Sequence, residues 1–151
     1  MKKSLSFAVL IMLLGATAFA QDFKKDEVLC RSEAGNFFVG RVLKAASSDT
    51  NNQLQALSVA DGSTAWVDLI LPSHKARKDE IVEGAWAIYP DGYADSDSMS
   101  ADDYRKVSWR AGRITSTQEM FKNYVEIDGG RYNWKLVRVP DNASVLEAGN
   151  E

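Results

Sequence analysis

The sequence predicts an all-β protein whose body is two small five-stranded barrels in tandem. Three observations carry that expectation. One ordered set of features occurs twice along the chain. Within each copy, short apolar runs are separated by Asp-Gly turns. Beyond the first twenty residues no stretch keeps a 3.6-residue apolar period over a full helix length, and Ser116 to Lys122 has room for one helical turn at most.

The first copy holds Asp26-Glu27-Val28-Leu29-Cys30, then Phe37-Phe38-Val39-Gly40-Arg41-Val42, then Asp61-Gly62, Trp66 and Pro72. The second holds Glu83-Gly84-Ala85-Trp86-Ala87, then Trp109-Arg110-Ala111-Gly112-Arg113-Ile114, then Asp128-Gly129, Trp134 and Pro140. In both, an aromatic stands three residues before Gly-Arg-aliphatic. Phe37 to Leu43 is rich in β-formers. Leu54 to Ala60 and Ser63 to Leu71 flank Asp61-Gly62, and Tyr124 to Ile127 and Tyr132 to Val139 flank Asp128-Gly129. Each pair reads as a hairpin. A glycine inside a strand is unfavourable unless it permits a bend, a bulge or a close approach, and closing a small barrel needs bent strands. Gly40 and Gly112 recur at the place where such a bend is required.

The boundaries follow. Residues 23–73 form the first barrel and 81–140 the second, with a loop insertion at 91–106; residues 141–151 are a flexible tail. Ser73 to Glu80 is a polar, charged linker. Residues 1–20 are set apart: Lys2 and Lys3 precede an apolar run from Leu5 to Leu14, and Ala18-Phe19-Ala20 offers a cut before Gln21. That is the three-part pattern of a secretory signal peptide, so the expected location is periplasmic or secreted, with no membrane insertion after cleavage.

Composition narrows the function. The chain carries 18 basic and 21 acidic residues, for a net charge of −3, and loss of Lys2 and Lys3 takes it to −5. An acidic chain lacks the electrostatic footprint of a nucleic-acid binder. Cys30 is the only cysteine, which rules out an intrachain disulfide and reads as a buried, apolar thiol. His74, the only histidine, has no acid or nucleophile patterned around it. No nucleophile–base pair, metal cluster or phosphate loop is spelled out, so the expectation is a binding module, not an enzyme, with no cofactor. Asp91 and Asp95 are the paired carboxylates a hydrolase reading would need. Asp91 to Asp103 holds five carboxylates in thirteen residues; the spacing departs from a calcium-binding EF-hand, and a solvated acidic loop is the expected role. Arg41 and Arg113 recur at equivalent places and are expected to pair with neighbouring carboxylates.

The candidate ligand-binding residues are the aromatics of the second copy: Tyr89, Tyr93, Trp109, Tyr124, Tyr132 and Trp134. Trp109 and Trp134 match Phe37 and Trp66 by spacing, which suits barrel core. Tyr89, Tyr93 and Tyr132 have no aromatic counterpart in the first copy and are the preferred surface candidates.

The repeat resembles the Tudor branch of the SH3-like barrels. The resemblance rests on Ala87-Ile88-Tyr89, Trp109-Arg110-Ala111-Gly112-Arg113-Ile114, Ile127-Asp128-Gly129-Gly130, Leu136-Val137-Arg138-Val139-Pro140, and in the first copy Asp68-Leu69-Ile70-Leu71-Pro72. It spans nearly all of residues 25–140. It implies a cage of aromatic side chains that holds a methylated cation. Tyr89 matches one wall. Ile127, Gly130 and Arg131 stand where others belong, and Ser32 stands in the first copy where Tyr89 stands in the second, so the cage is incomplete. The expected partners are a peptide or protein, or a glycan, with cell-wall peptidoglycan as the alternative ligand; a structural envelope component is a further reading.

Overall fold

The computed structural model describes residues 22–148, and the expected signal segment lies outside them. The protein is all-β and antiparallel, as the alternation and hairpin signals predict. Two five-strand units follow one another with the same ladder. In the first, β1 (Val28–Arg31), β2 (Phe37–Lys44), β3 (Leu54–Ser58), β4 (Thr64–Val67) and β5 (Ile70–Leu71) pair in the order β5-β1-β2-β3-β4. After β6 (Ser73–Lys75), the second unit has β7 (Trp86–Pro90), β8 (Trp109–Ser116), β9 (Tyr124–Ile127), β10 (Gly130–Asn133) and β11 (Arg138–Pro140), paired β11-β7-β8-β9-β10. A single bridge, Phe37 to Trp109, joins β2 to β8.

The register matches at the level of single residues. Gly40 faces Val28 and Gly112 faces Ala87. Two residues beyond each glycine the ladder slips, between Val42 and Lys44 in one unit and between Ile114 and Ser116 in the other. A bulge of this kind bends the strand and raises its twist. The glycines themselves are needed for a different reason in each unit. A Cβ on Gly40 would crowd Cys30 Sγ at 3.0 Å and the Phe38 ring at 3.1 Å, whereas a Cβ on Gly112 would land inside the carboxylate of Asp128. Asp128 reaches that point because it and Gly129 both have positive φ, +49° and +80°, as a two-residue type I′ turn requires.

The ladder corrects two equivalences that spacing suggests. Cys30, not Ser32, occupies the position of Tyr89. Trp66 faces Gln55 as Arg131 faces Glu126, so Trp66 corresponds to Arg131 and not to Trp134. The β3–β4 turn is two residues longer than the β9–β10 turn, and the second unit has an extra 3₁₀ turn at Trp134–Leu136. Trp134 opens that turn, so the equal spacing of Trp66 and Trp134 to the prolines that follow them does not mark equivalent positions.

Three apolar clusters hold the chain. The central one joins the units: Leu29, Phe37, Val39 and Leu71 pack with Ile88, Met99, Tyr104, Trp109, Leu136 and Leu146. The second unit has its own interior, built on Ala87, Tyr89, Ile114, Val125, Ile127, Tyr132 and Val137. The first unit's interior is Cys30, Ala56 and Val67. A unit of about fifty residues is marginal by itself, because small domains bury a small share of their surface, and the shared cluster adds to what each unit buries.

Three segments read as irregular are ordered. The linker forms β6, which pairs with β11 through Ser73–Pro140, His74–Val139 and Lys75–Arg138. The insertion contains α1 (Ala101–Lys106), capped by Ser100 Oγ accepting from the Asp103 N–H at 3.0 Å and anchored by buried Tyr104. At six residues it is too short to show a helical period. The tail turns through α2 (Ser144–Glu147), burying Leu146 and pairing Glu147 with Arg113 at 3.2 Å.

Candidate functional site

The second unit gathers its aromatics at one end of its interior. Tyr89, at the end of β7, and Tyr132, in β10, lie with ring centroids 4.5 Å apart and planes tilted 41°. The Tyr89 hydroxyl donates to Asp128 Oδ2 at 3.3 Å. Burial, reinforced by the Asp128 charge, pushes the Tyr89 hydroxyl up to about 12, and burial raises Tyr132 with Asp91 and Asp128 adding to it and Arg110 opposing. Both tyrosines therefore stay protonated and can donate, next to carboxylates and one exposed guanidinium. They are nevertheless buried to below a tenth of their surface. Their rings lie against each other, which leaves no slot between them for a cation.

The six sequence candidates do not form one face. Tyr89 and Tyr132 come together. Trp109 is fully buried in the shared cluster against Tyr104 and Phe23 and is a core residue, not a surface contact. Trp134 is half-buried against the second interior. Tyr93 packs on the shared cluster, away from the tyrosine pair. Tyr124 is buried at the base of the insertion, where its hydroxyl donates to Asp97.

The acidic insertion is spent on internal pairing. Asp95 bridges to Arg131 at 2.9 Å, Asp102 to Lys106 at 2.7 Å, and Asp103 accepts from Ser100 Oγ at 2.7 Å. Among the described residues no group of three or more metal-ligating side chains converges. His74, without partners in the sequence, has two in the fold: Asp141 at 2.6 Å from Nδ1 and Glu80 at 2.9 Å from Nε2. Burial pushes the Cys30 thiol up to about 11, which keeps it an unreactive apolar group. Arg41 pairs with Asp26 and Glu27, and Arg113 with Glu147.

An open groove of about 320 Å³ lies on the first unit, lined by Arg31, Ser32, Glu33, Gly35, Gln53, Trp66 and Asp68. The β1–β2 turn, the start of β3 and the end of β4 supply these residues. Trp66 is 44% exposed, unusual for an indole. Arg31 holds Asp68 bidentately, at 3.2 and 2.6 Å. A second hollow of about 250 Å³ adjoins it, sharing Arg31 and Gly35 and continuing to Phe37, Trp86 and Leu146. Sequence spacing hid this site, because it matched Trp66 to a core tryptophan. The available signal was Trp66 itself, flanked by Ala65 and followed by Asp68 on a short strand. Comparison with protein families and with curated proteins finds no match to this chain.

Proposed function

We propose that the protein is an exported, non-catalytic binding module built from two SH3-like barrels of Tudor-like kind, recognising a peptide, a protein partner or a glycan. The observation that carries this reading is the duplicated β5-β1-β2-β3-β4 ladder with its bulge at the same register in both copies. Small barrels of this order present loops and short strand edges, which are binding surfaces more often than catalytic ones. On the second barrel the recognising face is the rim of the tyrosine pair, where Arg110, Asp91 and Asp128 surround two hydroxyl donors. A methyl-cation cage is not supported there, because the rings fill each other's slot.

Two measurements test the reading. The mature protein recovered from cells should begin at Gln21; an intact N-terminus in the cytoplasm would remove export. Wild-type protein should be retained by purified cell wall or by an envelope protein fraction, and an Arg110→Ala, Asp91→Ala variant should lose that retention. Retention by the wall selects the peptidoglycan alternative, and retention by neither removes the binding role.

A further inference from the structure

The duplication lets one unit report what the other is shaped to hold. By register, Gln53, Trp66 and Asp68 of the open groove correspond to Tyr124, Arg131 and Asn133. All three of the latter grip the insertion. The Tyr124 hydroxyl bonds Asp97, the Arg131 carbonyl accepts from the Asp95 N–H at 2.7 Å while its guanidinium takes the Asp95 carboxylate, and Asn133 Nδ2 donates to the Asp97 carbonyl at 3.1 Å. The chain's own segment thus occupies, in the second unit, the groove that stands open in the first. The reason is in the β1–β2 connection. Ser32 N–H closes on Asn36 O at 2.7 Å, and its counterpart Asp91 N–H closes on Ser108 O at 2.8 Å, but three residues fill the first loop and sixteen the second.

We propose that the first-unit groove docks a short peptide segment of a partner protein, basic in character, seated as Asp95 to Asp97 is seated on the second unit. The inference rests on the binding role proposed above and adds a second site on the other unit. Among the described residues β4 pairs with β3 alone. In its register Trp66, like Arg131, turns its N–H and C=O outward, away from the ladder. The carbonyl that receives the insertion in one unit is therefore unpaired in the other, at an edge open to an added chain.

The side chains set the sign of the charge. Arg131, which selects an acidic segment, is replaced by Trp66, and Asn133 by Asp68. Lining charges are Arg31 against Glu33 and Asp68, with Arg31 already neutralised by Asp68. Glu33 has no partner among the described residues. An acidic segment meets like charge here, whereas a lysine or arginine meets a carboxylate and an indole face. The chain's own Lys44 Nζ already stands 5.9 Å from the Trp66 ring centroid, a distance at which cation–π attraction operates.

The probes are two blocked eight-residue peptides, one alternating valine with lysine and one alternating valine with glutamate, titrated against the mature full chain and followed by the backbone amide NMR signals of β3 and β4, together with the Trp66 indole signal where that residue is present. The lysine peptide should bind, the glutamate peptide roughly tenfold more weakly or not at all, consistent with the scale of one charge reversal at a partly exposed site. Trp66→Ala, an exposed position, should abolish binding with the fold unchanged by circular dichroism. A Trp66→Arg, Asp68→Asn variant, which rebuilds the second unit's floor, should reverse the preference. Equal binding of both peptides, or binding indifferent to Trp66, overturns the proposal. Soluble peptidoglycan fragments moving the Trp66 signal where the lysine peptide does not would reassign the groove to a glycan. Should Arg110→Ala, Asp91→Ala abolish retention on envelope material while the Trp66 variants change nothing, the groove proposal fails and the binding role stands.

Discussion

Tyr89, Ile114, Val125, Ile127 and Tyr132 fill the interior of the second unit, while the matching interior of the first holds Cys30, Ala56 and Val67. The same ladder thus encloses two aromatic rings in one copy and a thiol and small aliphatics in the other, with Cys30 at the position of Tyr89. The outside differs in the opposite sense. The second unit covers its β10 edge with its own insertion, and the first leaves β4 and Trp66 uncovered. One copy has become the structural anchor and the other carries the open surface. That division requires the first unit to borrow stability across the shared cluster.

Trp109→Ala tests the borrowing with the largest expected effect. Trp109 is fully buried in that cluster, in T-shaped contact with Tyr104 at 4.9 Å and with Phe23 at 5.7 Å. Truncating a core tryptophan costs about 3–5 kcal/mol. Urea unfolding should shift as one cooperative transition, with signals from Trp66 and Trp134 moving together. Two separated transitions, with the Trp66 signal unshifted, would show that the first unit stands alone.

Glu27 sharpens the same point from the polar side. Its side chain is inaccessible to solvent and binds Arg105 of α1 and Arg41 of β2, and it accepts the Lys24 N–H at 2.8 Å. The hydrogen bond from Arg105 chiefly, with Lys24 and Arg41 helping and burial opposing, brings its carboxyl down to about 2. Arg105 belongs to the second unit's insertion, so this pair clamps the weaker unit to the stronger. Glu27→Gln leaves an unpaired, partly buried guanidinium and should cost about 3 kcal/mol at neutral pH. The folded carboxyl titrates below its unfolded value near 4.5, so the contribution is complete above that pH and fades as pH falls toward 2. The gap in stability between wild type and Glu27→Gln should therefore close in acid. A gap that is constant from pH 7 to pH 3 would assign the loss to packing alone.

Gly40 and Gly112 break the symmetry at one register position. In the second unit the obstacle is the end of a flexible side chain, Asp128; in the first it is Cys30 Sγ, the Phe38 ring and the Leu57 carbonyl. Gly112→Ala should cost about 1–2 kcal/mol by expelling that carboxylate and its bond from Tyr89. The cost should nearly vanish in an Asp128→Ala background, a coupling that a double-mutant cycle reads directly. Additive losses would place the conflict in the backbone.

Much of this architecture is legible in the sequence. Asp128-Gly129 announces a two-residue hairpin, the recurring glycines mark the bent strands, and alternation along Tyr124 to Ile127 gives the inward face. What stays hidden depends on partners far apart in the chain. Trp66 reads as core because its distance to Pro72 equals that from Trp134 to Pro140, although Trp134 sits in a 3₁₀ turn and has a different place in the ladder. Tyr89 and Tyr132 read as exposed because their lack of counterparts signals divergence, and divergence occurred inside the unit as well as on it. Asp95 and Asp97 read as solvated because nothing local predicts Arg131, Tyr124 and Asn133 as their partners. β6 is invisible in Ser73-His74-Lys75, whose strand conformation comes wholly from pairing with β11.

His74 gives the smallest effect and the one confined to the second unit. Its two nitrogens face Asp141 and Glu80, so the doubly protonated ring donates to both and ties β6 to the segment leading into α2 and to the 3₁₀ turn at Lys78–Glu80. The bond to Asp141 first, then that to Glu80, raises its pKa above the ordinary 6.5 against a small opposing burial. A raised folded value means that the stabilisation is fully present below pH 6.5 and is lost as pH climbs through the folded pKa. The ring is 41% exposed and Asp141 more so, and solvent screening keeps the contribution under about 1 kcal/mol. His74→Gln should lower stability slightly at pH 6 and not at all at pH 9, with amide exchange quickened along β6 and β11 and unchanged along β3 and β4. Faster exchange at β4 would mean that the clamp supports both units, and the division between anchor and open surface would have to be redrawn.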